Sequence, residues 1–211
     1  MQITSAQIVR FIEGAAATIS EQRDYLTQLD SPIGDADHGT NMHRGFSAVA
    51  AGLPNVADKD IGAILMMVSS TLIAKVGGAS GPLYGTGFLR ASRLIGQRHE
   101  IDAADLAAAF EAAYEGIASR GKSDRGQKTM LDTLGPAADA MRAAIAEGDE
   151  LPVALEKMLA AAERGMVSTR DMLALRGRAA FLGERSIGHQ DPGATSAFLL
   201  LGALARAISE G

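Results

Sequence analysis

The sequence predicts an all-α protein, and three observations carry the prediction. Apolar residues recur at three- and four-residue spacing through most of the chain, the period of a helix with one buried face. Ala and Leu are abundant while aromatic residues make up only 4% and Trp is absent, a composition suited to helices with small, closely packing faces. No run of β-branched residues alternates with polar ones, as a half-buried strand would require. The 211 residues are enough to bury a sizeable core. With no internal repeat, linker or charge block to divide them, residues 1–211 are expected to form a single domain.

Composition also excludes functions. A net charge of −5, with basic residues scattered along the chain, argues against nucleic-acid binding. The absence of Cys removes disulfides, thiolate metal sites and Cys nucleophiles, and fits a reducing compartment. No positive-then-apolar segment opens the sequence, and no apolar run reaches the roughly 18 residues of a membrane span. The expectation is a soluble, cytoplasmic protein with no membrane partner.

The elements follow in order. Ile8, Phe11, Ile12, Ala15, Ala16, Ile19, Leu26 and Leu29 place a first amphipathic helix over residues 5–29, ending just before Asp30. Next comes Asp30-Ser-Pro-Ile-Gly-Asp35-Ala-Asp37-His-Gly-Thr-Asn41, with three carboxylates inside eight residues. Pro32, Gly34 and Gly39 forbid a continuous helix, so the aspartates sit on a bent loop that can aim their oxygens at one point. Aspartates at such places also cap turns, but three converging charges call for a cation. Hard oxygen ligands suit Mg²⁺, which keeps positions open for phosphate oxygens. A second helix over Thr40–Leu53 sets its N-terminal amides beside this loop, where an anion is welcome. Asp58 is predicted to cap a third helix that runs to Lys75, its apolar side built from Ile61, Ile64, Leu65, Val68, Leu72 and Ile73.

Residues 77–87 are the most glycine-dense part of the chain and lead into a fourth helix ending near Arg98. Glycines let a backbone approach a ligand, and Gly78, Ala79 and Ser80 stand beside unpaired helix-start donors, an arrangement for phosphate. Gly85 and Gly87 also suit close helix packing. Asp102 and Asp105 open a fifth helix that ends near Arg120. Gly121–Thr129 resembles a P-loop, but Gln127 interrupts the Gly-Lys-Thr order and no strand precedes it, so that assignment is rejected. The stretch is expected to border a ligand from the side, with Met130 packing either on a base or in the core. Residues 129–147 and 152–175 form two more helices, the second with Pro152 in its first turn. Helical periodicity then fails for about fifteen residues from Arg176 to Gln190, a length that marks a functional loop. Its arginines and glycines suggest a mobile cover suited to shielding phosphates. Asp191 and Pro192 read as N-cap and first-turn proline of an eighth helix, ending near Ser209.

Four blocks carry a family resemblance: residues 33–42, residues 76–86, Ser119–Lys122 with Lys128–Met130, and residues 177–196. With these motifs in this order, essentially the whole chain resembles the nucleotide-binding L subunits of dihydroxyacetone kinases, of the type linked to the phosphotransferase system. The resemblance implies a barrel of eight antiparallel helices holding ADP or ATP and two Mg²⁺ ions at one end. It places the metal on Asp30, Asp35 and Asp37. It places the nucleotide against His38, Gly39, Thr40 and Asn41, against Ala79 and Ser80, against Gly121 and Met130, and against Arg178, Asp191, Pro192 and Gly193. Family members transfer the γ-phosphate to dihydroxyacetone held covalently by a separate K subunit, and ADP is rephosphorylated in place by a phosphohistidine carrier, the M subunit. Ala36 departs from a glycine common in the family, a change tolerated unless the residue needs φ > 0. Phosphoryl transfer needs charge neutralisation and alignment more than covalent help, so Arg178 is the expected catalytic residue, and neither His38 nor His189 is expected to be a nucleophile. The alternatives are an ATP-dependent kinase for another small ketose such as erythrulose, and a nucleotide-binding module that signals through a transcriptional regulator.

Overall fold

The computed structural model describes residues 2–209, and the helical period of the sequence becomes nine α-helices among them. These are α1 (Ser5–Glu21), α2 (Arg23–Asp30), α3 (His38–Gly52), α4 (Ile61–Lys75), α5 (Ser80–Ile95), α6 (Ala103–Gly121), α7 (Leu131–Ala146), α8 (Leu151–Ser168) and α9 (Pro192–Ser209). Their contacts make a closed circuit: α1 packs on α3, each helix from α3 to α8 packs on the next, and α9 lies against both α8 and α1. The apolar stripes face inward. Ile12, Ile19, Met42, Phe46, Ile64 and Leu72 are completely buried in one continuous core. The close approach of α4 and α5 depends on Gly85, where a methyl group would collide with Ile73 and with the Ser69 carbonyl.

Several boundaries differ from expectation. The first helix breaks at Gln22, which leaves helical geometry at φ −93°, ψ 7°, so α1 and α2 are separate. Asp60, and not Asp58, caps α4: its carboxylate accepts from the Ala63 amide at 2.8 Å, whereas Asp58 is exposed and pairs only with Lys59. α5 stops at Ile95 because Gly96 turns to φ +65°. α8 ends at Ser168 and not near 175, because the carbonyls that would continue it are turned towards the ammonium of Lys128. Two short strands were not foreseen. β1 (Ile3–Thr4) pairs antiparallel with β2 (Glu100–Ile101), burying Ile3 and Ile101 and tying the start of α1 to the α5–α6 connection. The expected caps elsewhere are present: Asp102 accepts from the Asp105 amide at 2.8 Å, and Asp191 from the Ala194 amide at 2.7 Å.

The stretch expected to be a loop, residues 176–190, contains a 3-10 segment over Arg178–Ser186, kinked at Gly183. Ser186 fixes it internally, donating to the Gly183 carbonyl at 2.7 Å and accepting from the Ala174 amide at 3.0 Å. One helix, α9, does reach the length and apolarity of a membrane-crossing helix, which the sequence reading did not expect, but it is mostly buried against its neighbours.

Candidate functional site

Asp30 ends α2, and the turn that follows folds back over it. The amides of Asp37 (2.9 Å) and His38 (3.1 Å) donate to its Oδ2, and those of Ile33 and Gly34 donate to its backbone carbonyl. A side chain on Gly34 would collide with the Asp30 carboxylate, so glycine is required there by close approach. Ala36 reverses the chain at φ +59°, a left-handed angle that costs a non-glycine residue about 1 kcal/mol. The reversal brings one carboxylate oxygen each from Asp30, Asp35 and Asp37 within 4.8 Å of one another. The cation found beside them is Arg178, whose Nη2 lies 2.8 Å from Asp35 Oδ2. Three carboxylates facing one guanidinium leave this corner short of positive charge, and an all-oxygen donor set of this kind fits a hard divalent ion such as Mg²⁺.

The corner opens into a cavity of about 470 Å³, within the range of sites that enclose small ligands. One wall is the start of α5: Gly77, Gly78 at φ +65°, Ala79 and Ser80. The starts of α7 and α9 make another, with Thr129, Met130, Asp191, Pro192 and Gly193. Gly121 and Arg120 close the end of α6, while Arg176 and Arg178 reach in from the 3-10 segment. That segment rests on the acidic turn through Ile33, which packs with Ala174 and Ala179.

His38 also lines the cavity, but both its ring nitrogens are engaged. Nε2 lies 3.0 Å from Ser196 Oγ and Nδ1 lies 3.4 Å from Ser80 Oγ, while Ser196 and the Tyr84 hydroxyl are 2.7 Å apart. Burial holds the imidazole below its ordinary pKa against the pull of Asp30 and Asp37, so it is neutral and hydrogen-bonded instead of poised to attack. Asp191 faces the cavity yet is enclosed on its other sides. That enclosure pushes its carboxyl up to about 7, against the Ala194 amide and Lys128, which favour the anion. Partial desolvation likewise lowers the pKa of the Lys128 ammonium.

Of the residues singled out from sequence, Asp30, Asp35, Asp37, His38, Asn41, Ala79, Ser80, Gly121, Met130, Arg178 and Asp191–Gly193 all line this cavity. Gly39 and Thr40 do not: Gly39 packs against the Arg23 carbonyl and Thr27 of α2, and Thr40 is exposed. His189 lies apart, on a second hollow beside Tyr25 and Arg170. Two residues given no role from sequence stand out. Asp132, in the first turn of α7, is buried and holds the preceding loop, accepting from the amides of Thr129 (2.8 Å) and Gly126. Lys128 is buried among backbone carbonyls. A lysine or an aspartate near a helix start is ordinary in a sequence, so although Lys128 belongs to one of the family blocks, nothing pointed to a role for either residue.

An acidic corner able to hold a hard metal, glycine-bearing helix starts along the walls and arginines on the cover define a site for a metal-bound polyphosphate, the layout of a nucleotide-dependent phosphotransferase. Residues 32–206 match the DAK2 domain, and the chain belongs to that family. It is 46% identical over 210 residues to the PEP-dependent dihydroxyacetone kinase, ADP-binding subunit DhaL, of Escherichia coli (strain K12), covering all of both chains. It is 39% identical over 191 residues to the PTS-dependent dihydroxyacetone kinase, ADP-binding subunit DhaL, of Lactococcus lactis, covering 90% of this chain and 91% of that one. The crystal structure of the dihydroxyacetone kinase from C. freundii in complex with AMP-PNP and Mg2+ superposes with a TM-score of 0.71 at 25% identity, over 95% of this chain and 33% of that one.

Proposed function

We propose that this chain is the ADP- and ATP-binding subunit of a dihydroxyacetone kinase, a phosphotransferase of the PEP-dependent type. It passes a phosphoryl group from its nucleotide to dihydroxyacetone held on a K subunit. The ADP left behind is recharged in place by a phosphohistidine carrier of the phosphotransferase system. The observation that carries this reading is the meeting of three carboxylates within 4.8 Å at one end of a 470 Å³ cavity, under a cover whose arginine pairs with one of them. Full-length identity to ADP-binding subunits supports the assignment to a separate subunit. The closed circuit of contacts supports an eight-helix barrel forming a single domain, with α1 and α2 counted as one broken helix.

Asp30, Asp35 and Asp37 would hold Mg²⁺, as two ions, to neutralise the phosphate oxygens as charge shifts between them. Asp30 is oriented for this by the two amides on Oδ2, which leave its other oxygen free to ligate. The α5 start offers the backbone amides around Ala79 and Ser80 to phosphate, and Met130 offers an apolar surface to the base. Arg178 is 70% exposed and its pair with Asp35 contributes little to stability, so the guanidinium is free to move onto a phosphoryl oxygen. The cover also excludes water, which would otherwise accept the phosphoryl group.

The K subunit would seat on the outside of that cover. Phe181 is 90% exposed, three residues from Arg178, with Ile187 exposed on the same cover and Leu175 exposed just before it. A bare aromatic beside the cavity suits a partner that must bring its acceptor to Arg178. The decisive experiment denatures the purified protein and identifies the nucleotide released, then repeats the assay with K subunit and carrier. Bound ADP that turns over without leaving is expected. An empty protein that exchanges ATP freely would overturn the carrier-recharged scheme in favour of an ATP-dependent kinase.

A further inference from the structure

Lysine is among the side chains least often buried, because a desolvated ammonium is costly unless its protons find oxygens. Lys128 is buried all the same, and its backbone stands at φ +60°, a left-handed conformation unfavourable for any residue with a Cβ. Both penalties are offset by what the side chain holds. Its Nζ donates to the carbonyl oxygens of Thr169 (2.5 Å), Met172 (3.3 Å) and His189, with that of Arg170 at 3.5 Å. These oxygens belong to two separate stretches: one where the chain leaves α8 and one just before it enters α9. A single ammonium therefore joins both feet of the cover. Gln127 extends the seam, accepting from the Leu175 amide at its carbonyl (3.2 Å) and from Arg176 Nε at its side chain (2.9 Å).

We infer that Lys128 is a positioning residue for phosphoryl transfer, tying the two feet of the cover together so that Arg178 is held over the acidic corner. The inference rests on the nucleotide reading of the cavity and adds to it a residue that acts without touching the phosphates. Lys128 borders the cavity beside Met130, but its ammonium is turned onto these backbone carbonyls, and the nucleotide contacts on α3 and α5 belong to elements it does not bond. Its loss therefore falls on the rate of transfer more than on affinity.

Two variants test this. Lys128→Met keeps the side-chain length and removes the donors. Lys128→Gly also relieves the backbone angle and leaves room for water on the stranded carbonyls, so it is expected to fold even if the methionine variant does not. In the full chain with its K subunit and donor, each folded variant should lose roughly tenfold or more in kcat while its Kd for ADP with Mg²⁺ changes by less than about threefold. Without ligand, chymotrypsin should cut after Phe181 roughly tenfold faster than in the parent, because the cover opens more often. The double variant Lys128→Gly with Arg178→Ala should be no slower than Arg178→Ala alone, since nothing is left to position. Parental kcat and parental cleavage in Lys128→Gly would overturn the inference, and so would rate losses that multiply in the double variant. Failure of the parent to bind ADP would strike the nucleotide reading instead, and the cleavage comparison would still decide whether Lys128 ties the cover.

Discussion

Ala36 sits at the point where one backbone angle decides the shape of the acidic corner. The chain must reverse between Asp35 and Asp37 for both to face Asp30, and it does so at φ +59° with a methyl group in the way. Glycine would remove a steric cost of about 1–2 kcal/mol and add about 0.5–1 kcal/mol of unfolded-state freedom. Ala36→Gly should therefore stabilise the protein by roughly 0.5–1 kcal/mol, a rise of about 1–4 °C in thermal midpoint; an unchanged or lower midpoint would show that the strain at the turn does not exceed the freedom glycine adds to the unfolded chain. Asp191 offers a second test. Enclosure raises its folded pKa to about 7, while unfolded it ionises near 4. Between those values the native state keeps a proton the unfolded chain has released, so the group costs stability progressively from pH 4 to pH 7 and in full above it. Asp191→Asn keeps an oxygen for the Ala194 amide and has no proton to lose. In urea unfolding of the ligand-free protein, the variant should gain on the order of a few kcal/mol over the parent at pH 8 and almost nothing at pH 4. Equal differences at the two pH values would refute the raised pKa. The spacing of Asp30, Asp35 and Asp37 was enough to foresee that their oxygens meet, because proline and glycine leave the turn few shapes. The burial of Lys128 was not legible, since the carbonyls that surround it lie more than forty residues away in sequence.

Elements were more legible in kind than in extent. The long helices were foreseen from apolar spacing, from the glycine-bearing breaks between them, or from capping residues such as Asp102 with Asp105. Their ends depended on partners distant in sequence. α8 stops where Lys128 takes the carbonyls of the residues that follow it, and the α1–α2 break at Gln22 leaves the apolar stripe almost undisturbed. The cover was foreseen as an irregular arginine-bearing segment, but its 3-10 turns follow from local contacts such as Ser186 with Gly183 and Ala174. Its outward face makes a prediction of its own. Phe181 contacts little of this chain, so Phe181→Ala should leave the thermal midpoint within about 1 °C, as surface changes usually do. If the K subunit seats there, KM for that subunit should rise by roughly tenfold or more, the usual effect of losing a central aromatic anchor, while ADP affinity holds. An unchanged KM would move the docking surface elsewhere.

At the scale of the molecule, the cavity is where the circuit of helices is drawn together at one end, for its walls come from α2, α3, α5, α6, α7, α9 and the cover. The sequence could foresee such helices but not which end would gather the loops. It also missed how apolar α9 would be, because that helix is a staff of the common core lying against α1, α7 and α8. A ligand that bridges so many elements stabilises them together, since anything bound only by the folded state adds RT ln(1 + [L]/Kd) to its stability. With nucleotide at a thousand times its Kd this is about 4 kcal/mol, and for a chain of this length each kcal/mol moves the midpoint by about 2–4 °C. Chelating the divalent ions should therefore release the nucleotide and lower the thermal midpoint by about 8–16 °C in one cooperative transition. Asp37→Asn should start near that lowered midpoint and respond little to chelator, because the carboxylate that would hold the ion is gone. Calorimetry on the two proteins, with and without chelator, decides the matter. A parent whose midpoint ignores the chelator, or an Asp37→Asn protein that keeps both its nucleotide and the full chelator-sensitive shift, would remove the metal from the acidic corner.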